Sequence, residues 1–211
     1  MKTNFNFGSG TIVEIGDQEF ILTAAHVLEH THAGQLISIE GINWSVVWKI
    51  EKKLTRNDIA LLSFSGSFHR QIFEIKISSK QAILSMDAII AGFPAGRANY
   101  LDVGSEGAKE THMLPFLRKG IISAFLRKEF IIDCLIQRGF SGGPAFYVSA
   151  DGKFTPHIFG VVSSGITFED DQKLLDERTA TTIRSGFTSC VSVDLALELA
   201  QDELGIMVTE G

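Results

Sequence analysis

Arg138-Gly139-Phe140-Ser141-Gly142-Gly143-Pro144 joins one hydroxyl to a run of glycines and closes on a proline. Glycines allow a sharp turn and the close approach of another chain. Such a turn exposes the Ser141 hydroxyl and points the N–H groups of Gly139 and Ser141 to one side. Two converging N–H donors are what a developing oxyanion needs, and their stabilisation is often the largest single contribution in acyl transfer. Taken alone, the run is equally a plain tight turn. It also satisfies the Gly-x-Ser-x-Gly pattern of a hydrolase elbow. What separates these readings is whether the chain supplies a base and an orienting acid.

Residues 120–125 and 130–136 read as strands leading into this turn, and residues 143–148, 158–164 and 186–193 as strands beyond it. After residue 193 the period changes. Leu195, Leu197, Leu199 and Ala200 with interspersed acids suggest one closing helix, with Asp194 as its cap. Toward the N-terminus, Thr11-Ile12-Val13-Glu14-Ile15 and residues 18–23 flank Gly16-Asp17, a pair that closes tight hairpins. Directly after this hairpin comes Thr23-Ala24-Ala25-His26, a histidine where an apolar strand ends. Further β-type runs cover residues 35–40, 43–50, 72–77 and 88–92, and residues 93–115 are rich in turn formers. Asp58-Ile59-Ala60-Leu61-Leu62 puts an acid at the mouth of a buried strand. Roughly a dozen short strands with frequent turns indicate an all-β barrel or sandwich.

The 211 residues suffice for one domain, or for two small barrels packed together. The apolar fraction of 45% and charged fraction of 21% are those of an ordinary globular chain. A net charge of −6 argues against nucleic acid as a partner, for which a basic stripe is expected. No apolar run approaches the ~18 residues of a membrane span, so no membrane is expected either. Met1-Lys2-Thr3-Asn4-Phe5 lacks the apolar stretch of a secretory signal. The two cysteines, Cys134 and Cys190, read as free structural thiols, which fits a reducing, cytoplasmic setting.

These segments together resemble the chymotrypsin-like (trypsin-like) serine peptidases. Thr23-Ala24-Ala25-His26, Asp58-Ile59-Ala60-Leu61-Leu62 and Gly139-Phe140-Ser141-Gly142-Gly143-Pro144 occur in that family's order of histidine, aspartate and serine. Gly8-Ser9-Gly10-Thr11 before the histidine strand and Gly160-Val161-Val162-Ser163-Ser164-Gly165 after the serine agree as well. The resemblance is closest to the bacterial, HtrA-type branch, through Gly120-Ile121-Ile122-Ser123 and Asp133-Cys134-Leu135-Ile136-Gln137-Arg138-Gly139. No PDZ-like extension fits after the closing helix.

The resemblance implies two packed six-stranded antiparallel barrels with a C-terminal helix. Residues 1–80 would carry histidine and aspartate, and residues 81–211 the serine, together forming one peptidase domain. His26, Asp58 and Ser141 would be catalytic, with Gly139 and Ser141 forming the oxyanion hole. The chemistry asks for these types: a serine hydroxyl is a poor nucleophile until a base takes its proton, and a carboxylate orients that base. Ser163 would help hold Asp58, and Ser163, Ser164 and Gly165 would pair with an extended protein or peptide substrate. Leu135 and Ile136, with Ser164, Gly165 and residues 186–188, would surround the primary specificity pocket. No acid stands at the trypsin-type position, which Leu135 fills, so an apolar residue before the scissile bond is expected.

Many trypsin-like enzymes carry aspartate before the nucleophile, paired with an amino terminus freed by cleavage. Phe140 stands there, so the expectation is that loop ordering by substrate or a regulatory protein partner sets the oxyanion hole. Val27 replaces the cysteine of the family's disulfide next to the histidine, in keeping with a reducing compartment. Neither cofactor nor metal is called for. His26-x-x-x-His30 lacks the glutamate of a zincin, and an α/β-hydrolase would need acid and histidine after Ser141, where His157 is the only histidine. Glu169-Asp170-Asp171 reads as a solvated loop face. The alternative to an enzyme is a binding module on a peptidase scaffold, inactive or active only with a partner.

Overall fold

The computed structural model describes residues 8–41, 44–64, 76–94, 99–103, 110–149, 155–169 and 182–206. Five strands form the first sheet: β1 (Thr11–Ile15), β2 (Gln18–Ala24), β3 (Leu36–Gly41), β4 (Trp44–Arg56) and β5 (Ile59–Phe64), in the order β1-β2-β5-β4-β3. The second sheet holds β6 (Lys76–Ile77), β7 (Asp87–Gly92), β10 (Phe116–Leu126), β11 (Glu129–Asp133), β12 (Pro144–Val148), β13 (Pro156–Glu169) and β14 (Thr182–Ser192). Among the described residues, strands β8 (Asn99–Val103) and β9 (Glu110–Leu114) pair only with each other, and helix α1 (Asp194–Leu204) closes the fold.

Local chemistry explains the first hairpin. Val13 and Ile15 are buried while Glu14 between them is exposed, the period-2 signature of a half-buried strand. The hairpin register runs Ile15↔Gln18, leaving a two-residue turn in which Gly16 takes φ 59. The second sheet closes on itself, because β12 pairs with both β7 and β13. Six strands, β12-β7-β10-β11-β14-β13, thus make an antiparallel barrel, with β6 attached parallel to the outside of β13. The expected six strands are met here; the first sheet has five among the described residues. Lys76–Ile77 joins the second barrel a few residues before the division expected at residue 80.

Three apolar clusters organise the interior. Ile21, Leu28, Ile50, Ala60, Leu62 and Phe64 form one cluster on the first sheet. Ala88, Ile90, Ile122, Ile132, Phe140, Phe159 and Val162 fill the second barrel. The third cluster is the seam. Val13, Phe20, Leu22, Ile59 and Leu61 from the first sheet meet Ile158, Val161, Val191 and Val193 from the second, with Leu195, Ala196, Leu199 and Ala200 of α1 on top. The helix therefore buries one face against both halves, and Gly205 at φ 66 ends it in the left-handed conformation.

Several expectations need correction. Asp194 is not the cap but the first helical residue; Val193 precedes it without a side-chain cap bond, and Ser192 Oγ accepts from Asp194 N–H at 3.3 Å. The Asp194 carboxylate instead accepts from the hydroxyl of Ser79 and, at 3.4 Å, from its N–H. Strand β4 runs on to Arg56, past the charged Glu51-Lys52-Lys53, because a strand with one solvated face tolerates charge there. The turn-rich stretch contains the β8–β9 hairpin. Turn formers on both flanks, Pro94-Ala95-Gly96 and Gly104-Ser105-Glu106-Gly107, masked these two short runs in the sequence. Of the expected strand 72–77 only Lys76–Ile77 lies within the described residues; Met1–Phe5, Asn43, Asp170 and Asp171 lie outside them.

Because Leu199 sits at the seam with 3% exposure, Leu199→Ala should cost about 3 kcal/mol, read as a lower urea midpoint. A change under about 1 kcal/mol would show that α1 does not clamp the halves together.

Candidate active site

The seam brings the expected residues to one place. Asp58 occupies the two-residue turn Asn57-Asp58 between β4 and β5, where Arg56 pairs with Ile59. Asn57 takes φ 52, a conformation that asparagine tolerates better than most residues. His26 lies in a 3₁₀ turn, Ala25–Leu28, that directly follows β2. Backbone ties fix these two turns together. Asp58 O accepts from Ala25 N–H at 3.1 Å, and Asp58 Oδ1 accepts from His26 N–H at 3.0 Å. The His26 ring completes the pairing, with Nδ1 2.9 Å from Asp58 Oδ2 and 3.0 Å from Oδ1. Below the 3₁₀ turn, the Lys53 ammonium donates to Leu28 O (2.5 Å) and Thr31 O (2.9 Å), satisfying carbonyls at its C-terminal end.

The second barrel reaches the same carboxylate. Ser163 on β13 donates its hydroxyl to Asp58 Oδ2 at 2.5 Å. Burial alone would raise the Asp58 pKa, yet the bonds from the His26 ring, the Ser163 hydroxyl and the His26 N–H outweigh it and hold the value below normal. His26 is shifted upward. Its hydrogen bond to Asp58 outweighs partial burial, and the negative charges of Asp58 and Glu29 add to it. With Nδ1 committed to Asp58, Nε2 is the nitrogen left to accept a proton.

Ser141 sits in the glycine turn between β11 and β12, and its backbone is held on all sides. Phe140 N–H donates to Gln137 O (3.3 Å), Gly142 N–H to Val162 O (2.8 Å) and Gly143 N–H to Phe140 O (2.9 Å). Gly139 takes φ 100, which a side chain would strain. The N–H groups of Gly139 and Ser141 have no partner among the described residues. Phe140 is fully buried in the second barrel's core, its ring lying where a Cβ on Gly92 would come within 2.7 Å. The Ser141 hydroxyl donates to Ser163 O at 3.1 Å rather than to His26.

His26 and Ser141 border one cavity of about 350 Å³. Of the expected specificity residues, Leu135, Ile136, Ser163, Ser164 and Gly165 all line it. Leu135 is 54% exposed, so it forms part of an open rim rather than a closed floor. Sequence reading missed Gln137, Arg138 and Ile166, which also face the cavity. Of the expected 186–188 segment, Phe187 faces the cavity. Among the described residues, beyond Val161↔Pro144 β13 pairs with β14 alone, which leaves its other edge at Ser164 and Gly165 open beside the cavity. No group of three or more potential metal-binding side chains occurs among the described residues. Nor is any helix there long and apolar enough to cross a membrane.

A closed six-strand antiparallel barrel beside a second sheet, with one C-terminal helix, is the chymotrypsin-like architecture. Residues 8–155, more than half of the chain, match the trypsin-like peptidase domain, and the protein belongs to that family. Membership implies a serine protease-type function and peptide or protein substrates. No curated protein sequence matches the chain.

The electrostatics carry a sign that can be measured. In Ser141→Ala protein, His26 should titrate above 6.5 by NMR, and Asp58→Asn should bring it down. Raised His26 contributes stability that is complete below its unfolded pKa and lost as pH rises through the folded value. Lowered Asp58 contributes stability present above its unfolded pKa and lost as pH falls through the folded value. The pair therefore supports the fold most between pH 3.8 and 6.5. Between about pH 6 and about 9, the stability gap separating Ser141→Ala from Ser141→Ala/His26→Ala should shrink. A gap that widened would reverse the assignment.

Proposed function

We propose that the protein is a serine endopeptidase working through His26, Asp58 and Ser141. The single observation behind this reading is that Asp58, bonded to His26 from one side and Ser163 from the other, sits beside a cavity shared by His26 and Ser141. An extended substrate would lie along the open edge of β13 at Ser164 and Gly165. The Ser163 carbonyl that now receives the Ser141 hydroxyl is the acceptor an incoming backbone N–H would meet, turning that hydroxyl toward the imidazole.

His26 Nε2 then takes the Ser141 proton while Oγ adds to the scissile carbonyl carbon. The negative charge passes to the carbonyl oxygen, where the N–H groups of Gly139 and Ser141 stabilise it. Collapse breaks the C–N bond, and the imidazolium gives its proton to the leaving amine. The product on Ser141 is an ester. Water, deprotonated by His26, attacks that ester; the second collapse frees the acid and returns the proton to Ser141 Oγ. Asp58 remains ionised throughout and stabilises the imidazolium.

Leu135, Ile136, Ile166 and Phe187 give the cavity its apolar side, which favours an apolar residue before the scissile bond. We assign the HtrA-type branch within the family on the residues approaching the serine. We also place the protein in a reducing compartment such as the cytoplasm, since Cys134 and Cys190 are both buried and free.

Ser141→Ala should lower kcat on the order of a millionfold. A fluorophosphonate probe should label Ser141, and His26→Ala should abolish the labelling. A wild-type protein that neither labels nor cuts would leave the non-cutting binding module in its place. Cleavage profiling should favour apolar residues before the cut; a Lys- or Arg-dominated profile would contradict the cavity reading.

A further inference from the structure

We infer that Ser9 is a positioning residue for the oxyanion hole, so that the N-terminal segment sets the rate of the chemical step. This rests on the endopeptidase reading and names what holds that site in shape. Ser9 is buried, with 6% exposure, and it is not part of the cavity. Its hydroxyl oxygen accepts from Phe93 N–H at 2.9 Å, so its one proton is free to go elsewhere. That proton goes to Gly139 O, 2.6 Å away. The Ser9 N–H donates to Ser141 O at 2.8 Å, and Ser9 O accepts from the Thr23 hydroxyl at 2.6 Å.

One residue thus grips the carbonyls of both residues whose N–H groups are the proposed oxyanion donors. The grip matters more at Gly139 than at Ser141. Ser141 N–H shares its peptide with Phe140 O, which Gly143 N–H already fixes. Gly139 N–H shares its peptide with Arg138 O, which has no such bond among the described residues. The orientation of Gly139 therefore depends on its own carbonyl, which the Ser9 hydroxyl holds at 2.6 Å, closer than the 3.3 Å bond that the same peptide's Phe140 N–H makes to Gln137 O. The contact is also close: a Cβ on Gly142 would lie 2.2 Å from Ser9 O and 2.1 Å from Thr23 Oγ1. Alanine at position 9 would leave the buried Gly139 O and the part-buried Phe93 N–H without their shared partner. The glycine turn would relax to recover those bonds, and the Gly139 donor would move with it.

A donor matched to the oxyanion acts on the transition state and not on bound substrate. With a fluorogenic peptide, Ser9→Ala should therefore lower kcat at least about tenfold, while KM stays within about twofold. A peptide boronate, which forms a tetrahedral adduct on Ser141, should weaken by the same factor as kcat/KM. A purely structural loss would move KM and the folded fraction instead. Unchanged kcat in Ser9→Ala, or a fall in kcat with undiminished boronate affinity, overturns the inference. If Ser9→Ala does not fold, Thr23→Val, which frees Ser9 O, must show the same split in smaller measure. Unchanged kcat in Thr23→Val then overturns it. Wild-type protein without Ser141-dependent turnover would remove the endopeptidase reading itself, a result distinct from active wild type with an indifferent Ser9→Ala.

Discussion

The Asp58 carboxylate is the point at which the two halves of the molecule are held in register at the site. It takes the backbone N–H of His26, the imidazole of His26 and the hydroxyl of Ser163. The first two bonds lie within the first sheet; the third crosses to the second barrel. A carboxylate that is half-buried carries a desolvation cost, and three donors are what offset it here. Removing any one donor would leave the charge less well compensated and loosen the others, because all three share two oxygen atoms.

This hub works only because the halves cannot slide. The seam cluster is apolar on both sides, and α1 lies across it with Leu195 and Leu199 buried. Ion pairs decorate the outside of the same helix: Arg56 to Asp202 and Lys128 to Glu198. These pairs are exposed and contribute little each, so the apolar seam carries the stability. Arg56 nevertheless directly precedes the Asn57-Asp58 turn, so the helix touches the strand that presents the carboxylate.

Legibility in the sequence followed the range of the physics. The β1–β2 hairpin was readable because alternation and a glycine turn are local signals, and it formed with the expected ends within a residue. His26, Asp58 and Ser141 were readable because their flanks are short motifs in a fixed order. The extension of β4 through Glu51-Lys52-Lys53 was not, since its partner β5 lies outside any local window. Asp194 looked like a cap because composition cannot show that Ser79, more than a hundred residues away, claims its carboxylate. Ser9 could be seen as part of a motif, but not what its hydroxyl touches: Gly139 is 130 residues distant. Ile166 and Gln137 escaped for the same reason, as cavity walls are assembled from several strands.

Phe140 shows how an apolar side chain can take the place of an ion pair beside Ser141. An acid buried there would need a paired cation, because an unpaired buried charge costs several kcal/mol. A phenyl ring needs only a dry, well-packed site, and the second barrel's core supplies one with Gly92 cleared beneath it. Hydrophobic burial fixes how deep the turn sits, but it is non-directional and does not orient peptide planes. Orientation has to come from hydrogen bonds, and around this turn those come from Ser9, Gly143 and Val162. Depth and direction are thus set by different forces, neither of which titrates near neutral pH. The turn around Ser141 is thus held by contacts separate from the His26–Asp58 pair, whose pKa values are shifted by their own hydrogen bonds.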